Sequence, residues 1–231
     1  MAKRKFERES VRVTQEWFET KCKPRITDRD ERILRFIYDN RLVTSKQVAK
    51  LFWRGCSQSH YLADRRLRIL YELHCIDRFF PPAPVGEGTN PQHIALDRAG
   101  AKVLGLDNFN RLRELPNSYR HHVLAAEFRL RAKLKGFGTG NKEQKVGPIR
   151  ADIYYPNYNI CVEIDRGTET YETLERKAKR YNRLPDKTVV FVTSGPVKRK
   201  DRFLDMLTGD NAGTTFDDLD TLLDKMSDKF L

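Results

Sequence analysis

The stretch RADIYYPNYNICVEIDRGTETYETLERKAKRY carries the residues best suited to chemistry. Asp152-Ile153-Tyr154-Tyr155 and Ile160 to Asp165 are strand-like, and Pro156-Asn157-Tyr158-Asn159 between them gives a hairpin signature. Strand alternation puts Ile160, Val162 and Ile164 on one face and Cys161, Glu163 and Asp165 on the other. Two carboxylates on one face at a strand end repel each other unless a cation or strong donors intervene. Asp152, on the partner strand, is placed to join them. Asp152, Glu163 and Asp165 are therefore the expected metal ligands, and an all-oxygen set suits Mg²⁺ or Mn²⁺. Lys177 shares a helical face with Leu174 and Tyr181. A lysine beside a carboxylate-held cation can stabilise charge or orient the attacking water in phosphodiester hydrolysis. Asp152, Glu163, Asp165 and Lys177 are the catalytic candidates. The plainer alternative is that Glu163 and Asp165 pair with Arg166 or Arg180 in a structural network.

The surrounding elements must position these groups. A long helix is expected from about Tyr119 to Leu134, with Val123, Leu124, Phe128 and Leu130 apolar, ended by KGFGTGN. A helix follows Gly167. The β-branched run Lys187 to Thr193 reads as a buried strand, and a helix from about Val197 to Leu207 comes after it. With one more strand near Gln144–Ile149 the order becomes αβββαβ, that of a restriction-endonuclease-like core. In the usual PD-(D/E)xK arrangement the acid and the lysine alternate on one strand. Here Asp165 stands at the lysine position, in Glu163-Ile164-Asp165, and Lys177 from the next helix is expected to reach the same space.

The first half reads as a winged helix-turn-helix. Thr27 caps a helix with apolar Ile33, Leu34, Ile37 and Tyr38, and Asp30 sits at the capping-box position. Leu42-Val43 is a short extended piece. Thr44 is a second cap, with Gln47 at the box position, and opens a short helix carrying Val48, Ala49, Leu51 and Phe52. A third helix runs from Ser57 through Leu73, with Ala63, Leu67, Leu70 and Tyr71 on one side and Gln58, Arg65 and Arg68 on the other. Two extended runs, Ile76 to Phe80 and Gln92 to Leu96, flank a Gly/Pro-rich loop, and Asp97 caps a last short helix. In this order of elements the third helix enters the major groove, where polar side chains meet phosphates and base edges. The expected DNA contacts are Lys46, Arg54, Gln58, His60, Arg65 and Arg68, although His60 lies nearer the apolar stripe.

Charge supports a polyanionic partner. The 231 residues carry 44 Lys+Arg against 32 Asp+Glu, a net +12. Residues 41–70 hold Arg41, Lys46, Lys50, Arg54, Arg65, Arg66 and Arg68 against Asp64 alone, or +6, whereas residues 201–231 sum to −5. No segment approaches the roughly 18 apolar residues of a membrane span. The basic N-terminus MAKRKFERES lacks the apolar segment of a secretory signal, so a cytoplasmic location is expected. Cys22, Cys56, Cys75 and Cys161 form no CxxC pair and read as reduced thiols. Cys56, His60, His74 and Cys75 could be imagined as zinc ligands, but adjacent His74 and Cys75 make joint coordination awkward. The expected division is a basic arm 1–25, a winged helix 26–105, a linker 106–118 with a short helical piece FNRLREL, and a nuclease-like domain 119–231.

Several segments together resemble the replication-relaxation family of plasmids and other mobile elements: LVTSKQVAKLF, RRLRILYELHCIDRF, HIALDRAGAKVL, HHVLAAEFRL, RADIYYP, VEIDRGTET and LERKAKRY. The resemblance spans about Ile26 to Leu223. Ala151 stands where the family usually has proline, and His74 where it usually has glycine before the wing. The resemblance implies replication, relaxation or mobilisation (conjugation) of plasmid or phage DNA. The partner would be double-stranded DNA at an origin, and a homodimer is left open. His122 and Glu127 on the long helix, with Arg166 and Tyr181, are accessory site candidates. Two readings follow: a divalent-metal-dependent DNA nicking or cleaving protein, or a non-enzymatic DNA-binding regulator with a degenerate nuclease fold. A peripheral membrane protein is a third, which the organised helix order disfavours.

Overall fold

A computed structural model describes residues 13–81, 92–116, 118–184 and 186–230. The fold is mixed α+β with two sheets. The basic residues before Val13 and the loop tip expected at 82–91 lie outside the described residues.

Caps set the first helices. After a short helix α1 (Gln15–Trp17) come α2 (Asp28–Asn40) and α3 (Ser45–Phe52). The Asp30 N–H donates to Thr27 Oγ1 at 3.3 Å, and the Thr27 N–H returns to Asp30 Oδ2 at 2.7 Å. Thr44 and Gln47 repeat this exchange at 3.2 and 2.9 Å. Each such cap contributes about 1 kcal/mol. Helix α4 (Ser59–Glu72) follows, then a three-stranded antiparallel sheet ordered β1 (Val43–Thr44), β3 (His93–Leu96), β2 (Ile76–Phe79), and then α5 (Arg98–Val103). Ile33, Leu34, Ile37, Val48, Leu67 and Leu70 fill the core beneath, joined by Phe18 and Cys22.

The turn between α4 and β2 explains two residues. His74 adopts φ 55, the left-handed region that favours glycine. The N-terminus of α5 then sits on this turn: Asp97 N–H donates to Cys75 O at 2.9 Å and Ala99 N–H to His74 O at 3.0 Å. A Cβ on Gly100 would stand 2.3 Å from Cys75 O, so only glycine permits that approach.

The expected helical piece FNRLREL is not helical: among the described residues no helix lies between α5 and α6 (Tyr119–Leu134). Arg111 instead ties this segment to the first sheet, donating to Asp77 Oδ2 at 2.8 and 2.7 Å and pairing with Asp97 at 2.9 Å.

The second sheet is ordered β4 (Asn141–Val146), β5 (Ile149–Tyr155), β6 (Ile160–Asp165), β7 (Thr188–Thr193), β8 (Ala212–Thr215). The first three strands are antiparallel and the last three parallel. Helices α6 and α9 (Leu219–Phe230) cover one face, where Phe128 and Leu223 pack with Ile160, Val162 and Ile164. Helices α7 (Tyr171–Tyr181) and α8 (Val197–Asp205) cover the other, where Leu174, Tyr181 and Phe203 pack with Cys161 and Phe191. The alternation read from the sequence of β6 is thus the division between two cores. The order α6-β4-β5-β6-α7-β7 matches the expected αβββαβ, extended by α8, β8 and α9. In the acidic tail, α9 buries Leu219, Leu223 and Met226, while Asp220 and Asp224 pair with Arg131 of α6 and with Lys135, the residue that caps its C-terminus.

Helix α6 joins the halves. Ala126 belongs to the first core, Ala125 and Phe128 to the second. Gln47 Nε2 donates to Val123 O at 3.0 Å and Glu127 Oε2 at 3.2 Å, and Lys142 Nζ donates to Asn40 O at 3.1 Å.

Candidate functional site

Strands β5 and β6 pair at Ile153 and Val162, Tyr154 and Cys161, and Tyr155 and Ile160. The ladder stops at Ile153, and the adjacent residue of β5 is Asp152. Its side chain takes over: Asp152 Oδ2 accepts the Ile164 N–H at 2.7 Å. The other oxygen, Oδ1, lies 3.1 Å from His121 Nε2 of α6. This bond raises the His121 pKa above its usual value against the opposing effect of burial, and the charges of Asp152 and Glu163 add to the rise.

Glu163 is the buried acid of the group, with a side chain only 4% exposed. Helix α7 faces it. Lys177 Nζ donates to Glu163 Oε1, and Tyr181 OH donates to Oε2 at 2.8 Å. The four-residue spacing puts Lys177 and Tyr181 one turn apart on one face, as the sequence predicted. Burial pushes the Glu163 carboxyl up to about 7. The charge of Asp152 adds to this, and Lys177 and Tyr181 pull against it. Lys177 also donates to Glu169 Oε1 at 2.8 Å, while Glu169 Oε2 is a buried oxygen with no hydrogen-bond partner among the described residues. The two acids hold the Lys177 ammonium in its charged form, against burial. Tyr181, deeply buried beside Glu163, is raised well above the usual phenol range.

Glycine shapes the loop between Asp165 and Glu169. Gly167 has φ 77, and a Cβ there would stand 2.9 Å from Gly195 Cα. The loops after β6 and β7 therefore cross in contact, and the glycine in VEIDRGTE is steric rather than chemical.

Asp165 does not join Asp152 and Glu163. Thr193 Oγ1 donates to its Oδ2 at 2.8 Å, and Arg199 of α8 reaches both oxygens, Nη2 at 3.0 Å. Burial opposes its charge, but these donors hold the Asp165 carboxyl below its usual range. Its partner is Arg199, not Arg166 or Arg180. Glu127 is also placed elsewhere, in the joint between the halves, where Arg131 Nε donates at 2.7 Å and Lys50 lies at 3.4 Å. His122 is buried beside Lys142 Nζ and Ser118 Oγ, each 3.3 Å from a ring nitrogen. Burial and the Lys142 charge lower its pKa to about 4, so it is neutral at pH 7. The histidine that meets the carboxylates is its neighbour, His121. No group of three or more His, Cys, Asp or Glu side chains is arranged to hold a metal ion among the described residues.

On α4 and its surroundings, Lys46, Arg54, Gln58, His60, Arg65 and Arg68 are all exposed. Arg68 pairs with Glu72 at 3.2 Å. Arg66 turns inward instead: it pairs with the fully buried Asp30 and donates to Arg25 O at 2.8 Å. Tyr61, 64% exposed and four residues before Arg65, is a surface aromatic that charge counting missed. Of the imagined zinc ligands, Cys75 is buried with its Sγ 3.6 Å from Cys22 Sγ, and Cys56 is exposed.

No helix is long and apolar enough to cross a membrane among the described residues. A family model described as replication-relaxation matches residues 34–191, the span from α2 through β7. No curated protein and no solved structure matches the chain.

Proposed function

The chain belongs to the replication-relaxation family, and from that premise we propose that it binds double-stranded DNA of a plasmid or other mobile element and nicks or cleaves it. The observation that carries this reading is the meeting of Asp152, Glu163 and Lys177 from two strands and a helix. In this reading Lys177 of α7, which donates to Glu163, does the work of the strand lysine of the PD-(D/E)xK pattern, whose position is Asp165 here.

The donor set fits a hard divalent cation. Mg²⁺ is commonly held by only one or two protein carboxylates, its other positions going to water and substrate phosphate. Asp152 and Glu163 would hold it. When bound, such a cation supplies a Lewis acid at the scissile phosphate. Around it, His121 and the Ile164 N–H orient Asp152, and Tyr181 orients Glu163. Lys177, held between Glu163 and Glu169, points a fixed charge at the same space, where it stabilises negative charge developing on the phosphate.

The DNA-binding half of the proposal rests on the order of α2, α3, α4, β2 and β3, which is that of a winged helix, and on the outward face of α4. Gln58, Tyr61 and Arg65 lie on that face, opposite buried Ala63, Leu67 and Leu70. Phosphate contacts of this kind give salt-dependent affinity.

One observation favours the second reading, a non-enzymatic regulator. Both oxygens of Glu163 and both of Asp152 already have partners within the protein. In that reading the cluster is a closed structural network.

The experiment is incubation of supercoiled plasmid carrying the cognate origin with protein and Mn²⁺ or EDTA. Open circles with Mn²⁺, absent with EDTA and with Lys177→Ala, support the enzyme. Intact supercoils with a protein that still retards the DNA support the regulator.

A further inference from the structure

A second feature lies away from the carboxylates, where α2, α3 and α6 meet. A cavity of about 290 Å³ opens there, lined by Arg32, Arg35, Phe36, Phe52, Arg129 and Lys133 among others. We propose that this cavity binds a nucleoside monophosphate unit, with its phosphate on Arg35, Lys133 and Arg129 and its base against Phe36 and Phe52.

Charge carries the first part. Arg129 is 6% exposed, yet no carboxylate pairs with it among the described residues. Its guanidinium donates to Thr139 O at 2.7 Å, Asp39 O at 2.8 Å, Asn40 Oδ1 at 2.7 Å and Gly140 O at 3.3 Å. These acceptors are neutral. They fix the group with no carboxylate in contact, and burial lowers its pKa, the nearby Asp39 charge opposing that only in part. A guanidinium has five N–H donors, so one remains beyond these four bonds. Arg35 and Lys133, both exposed, form no ion pair among the described residues. Among the described lining residues Asp39 alone is acidic, against four cations. A concave wall with one sign of charge concentrates the opposite ion.

The walls carry the second part. Phe36 and Phe52 are half-buried and meet edge to face, with centroids 6.1 Å apart. Leu51 extends the apolar surface. A bare inorganic anion gains nothing from that surface, whereas a base does, and base–aromatic stacking tolerates any base. The volume lies at the lower end of small-molecule sites, roughly 300 Å³, which suits one nucleotide. The same chemistry arises from a free nucleotide or from one unpaired nucleotide of a DNA strand.

Calorimetric titration of the full chain with deoxyadenosine 5′-monophosphate, deoxyadenosine and inorganic phosphate tests the proposal. The monophosphate should bind at least tenfold tighter than either fragment. Arg35→Gln with Lys133→Gln should weaken it at least tenfold, and Phe52→Leu should weaken the monophosphate but not phosphate. Lys179→Gln, an exposed change on α7, should change neither. Competition by single-stranded octathymidylate would assign the site to a DNA strand, and its absence to a free nucleotide; both uphold the pocket. Monophosphate binding no tighter than phosphate, or unmoved by the Arg35 and Lys133 changes in a protein that melts like the parent, would overturn it. The test is independent of cleavage.

Discussion

Asp152 is hydrogen-bonded through Oδ2 to the N–H of Ile164 at 2.7 Å, the residue after Glu163. An acid on β5 is thereby pinned to the strand that carries the second acid. Its remaining oxygen faces His121 at 3.1 Å. Asp152→Asn keeps an acceptor for Ile164 but removes the charge that sustains protonated His121. An NMR titration of His121 should show a pKa above the ordinary value of about 6.5 in the parent, and a fall in the variant. Because the folded value is raised, the stability from this pair is complete below the unfolded pKa and is lost as pH rises through the folded one. An unchanged His121 titration in Asp152→Asn would refute the pairing.

Glu163 gives a second pH signature. Its carboxyl titrates near 7 in the fold, above the ordinary glutamate value. The folded state therefore holds this proton more tightly, and stability declines as pH rises from the unfolded pKa to about 7. The contribution is on the order of 3 kcal/mol. Urea unfolding of the parent should show this decline between pH 5 and pH 8, and Glu163→Gln should flatten it. Parallel pH profiles for the two proteins would count against the buried acid.

Adjacent arginines on α4 should behave oppositely. Arg65 is exposed, whereas Arg66 neutralises the fully buried Asp30. Arg66→Met strands that carboxylate and should cost roughly 3 kcal/mol without altering DNA affinity per folded molecule. Arg65→Gln with Arg68→Gln should leave melting unchanged and flatten the salt dependence of DNA binding by up to about two units. Fluorescence anisotropy across a salt series reads the second effect, and an unchanged slope would place the DNA elsewhere.

Local signals in the sequence were sufficient for much of this architecture. Thr27 with Asp30 and Thr44 with Gln47 announced their helix starts because a capping box is contained within four residues. The alternation of Ile160 to Asp165 announced two buried faces because strand geometry has a period of two. Long-range pairing was hidden. Asp165 and Arg199 stand 34 residues apart, and nothing local distinguishes Arg199 from Arg166 or Arg180. Nothing local separates His121 from His122, because α6 is buried on most sides, touching two cores, and shows no single apolar stripe. The Ala212–Thr215 strand lacks large apolar residues, and only its place beside β7 makes it a strand. Arg66 counted as surface charge because Asp30, 36 residues earlier, looked fully used by its cap.

A cation site at Asp152 and Glu163 and a closed network of the same residues respond differently to metal. Calorimetric melting of the parent and of Asp152→Asn across a Mn²⁺ series separates the two. A site one hundredfold saturated stabilises the fold by about 2.7 kcal/mol, roughly 2–4 °C for each kcal/mol in a chain of this size. With a cation site, the parent melts progressively higher with Mn²⁺, Asp152→Asn does not respond, and Lys177→Ala still does. A parent whose melting ignores millimolar Mn²⁺, with Asp152→Asn simply less stable at every concentration, would contradict that site.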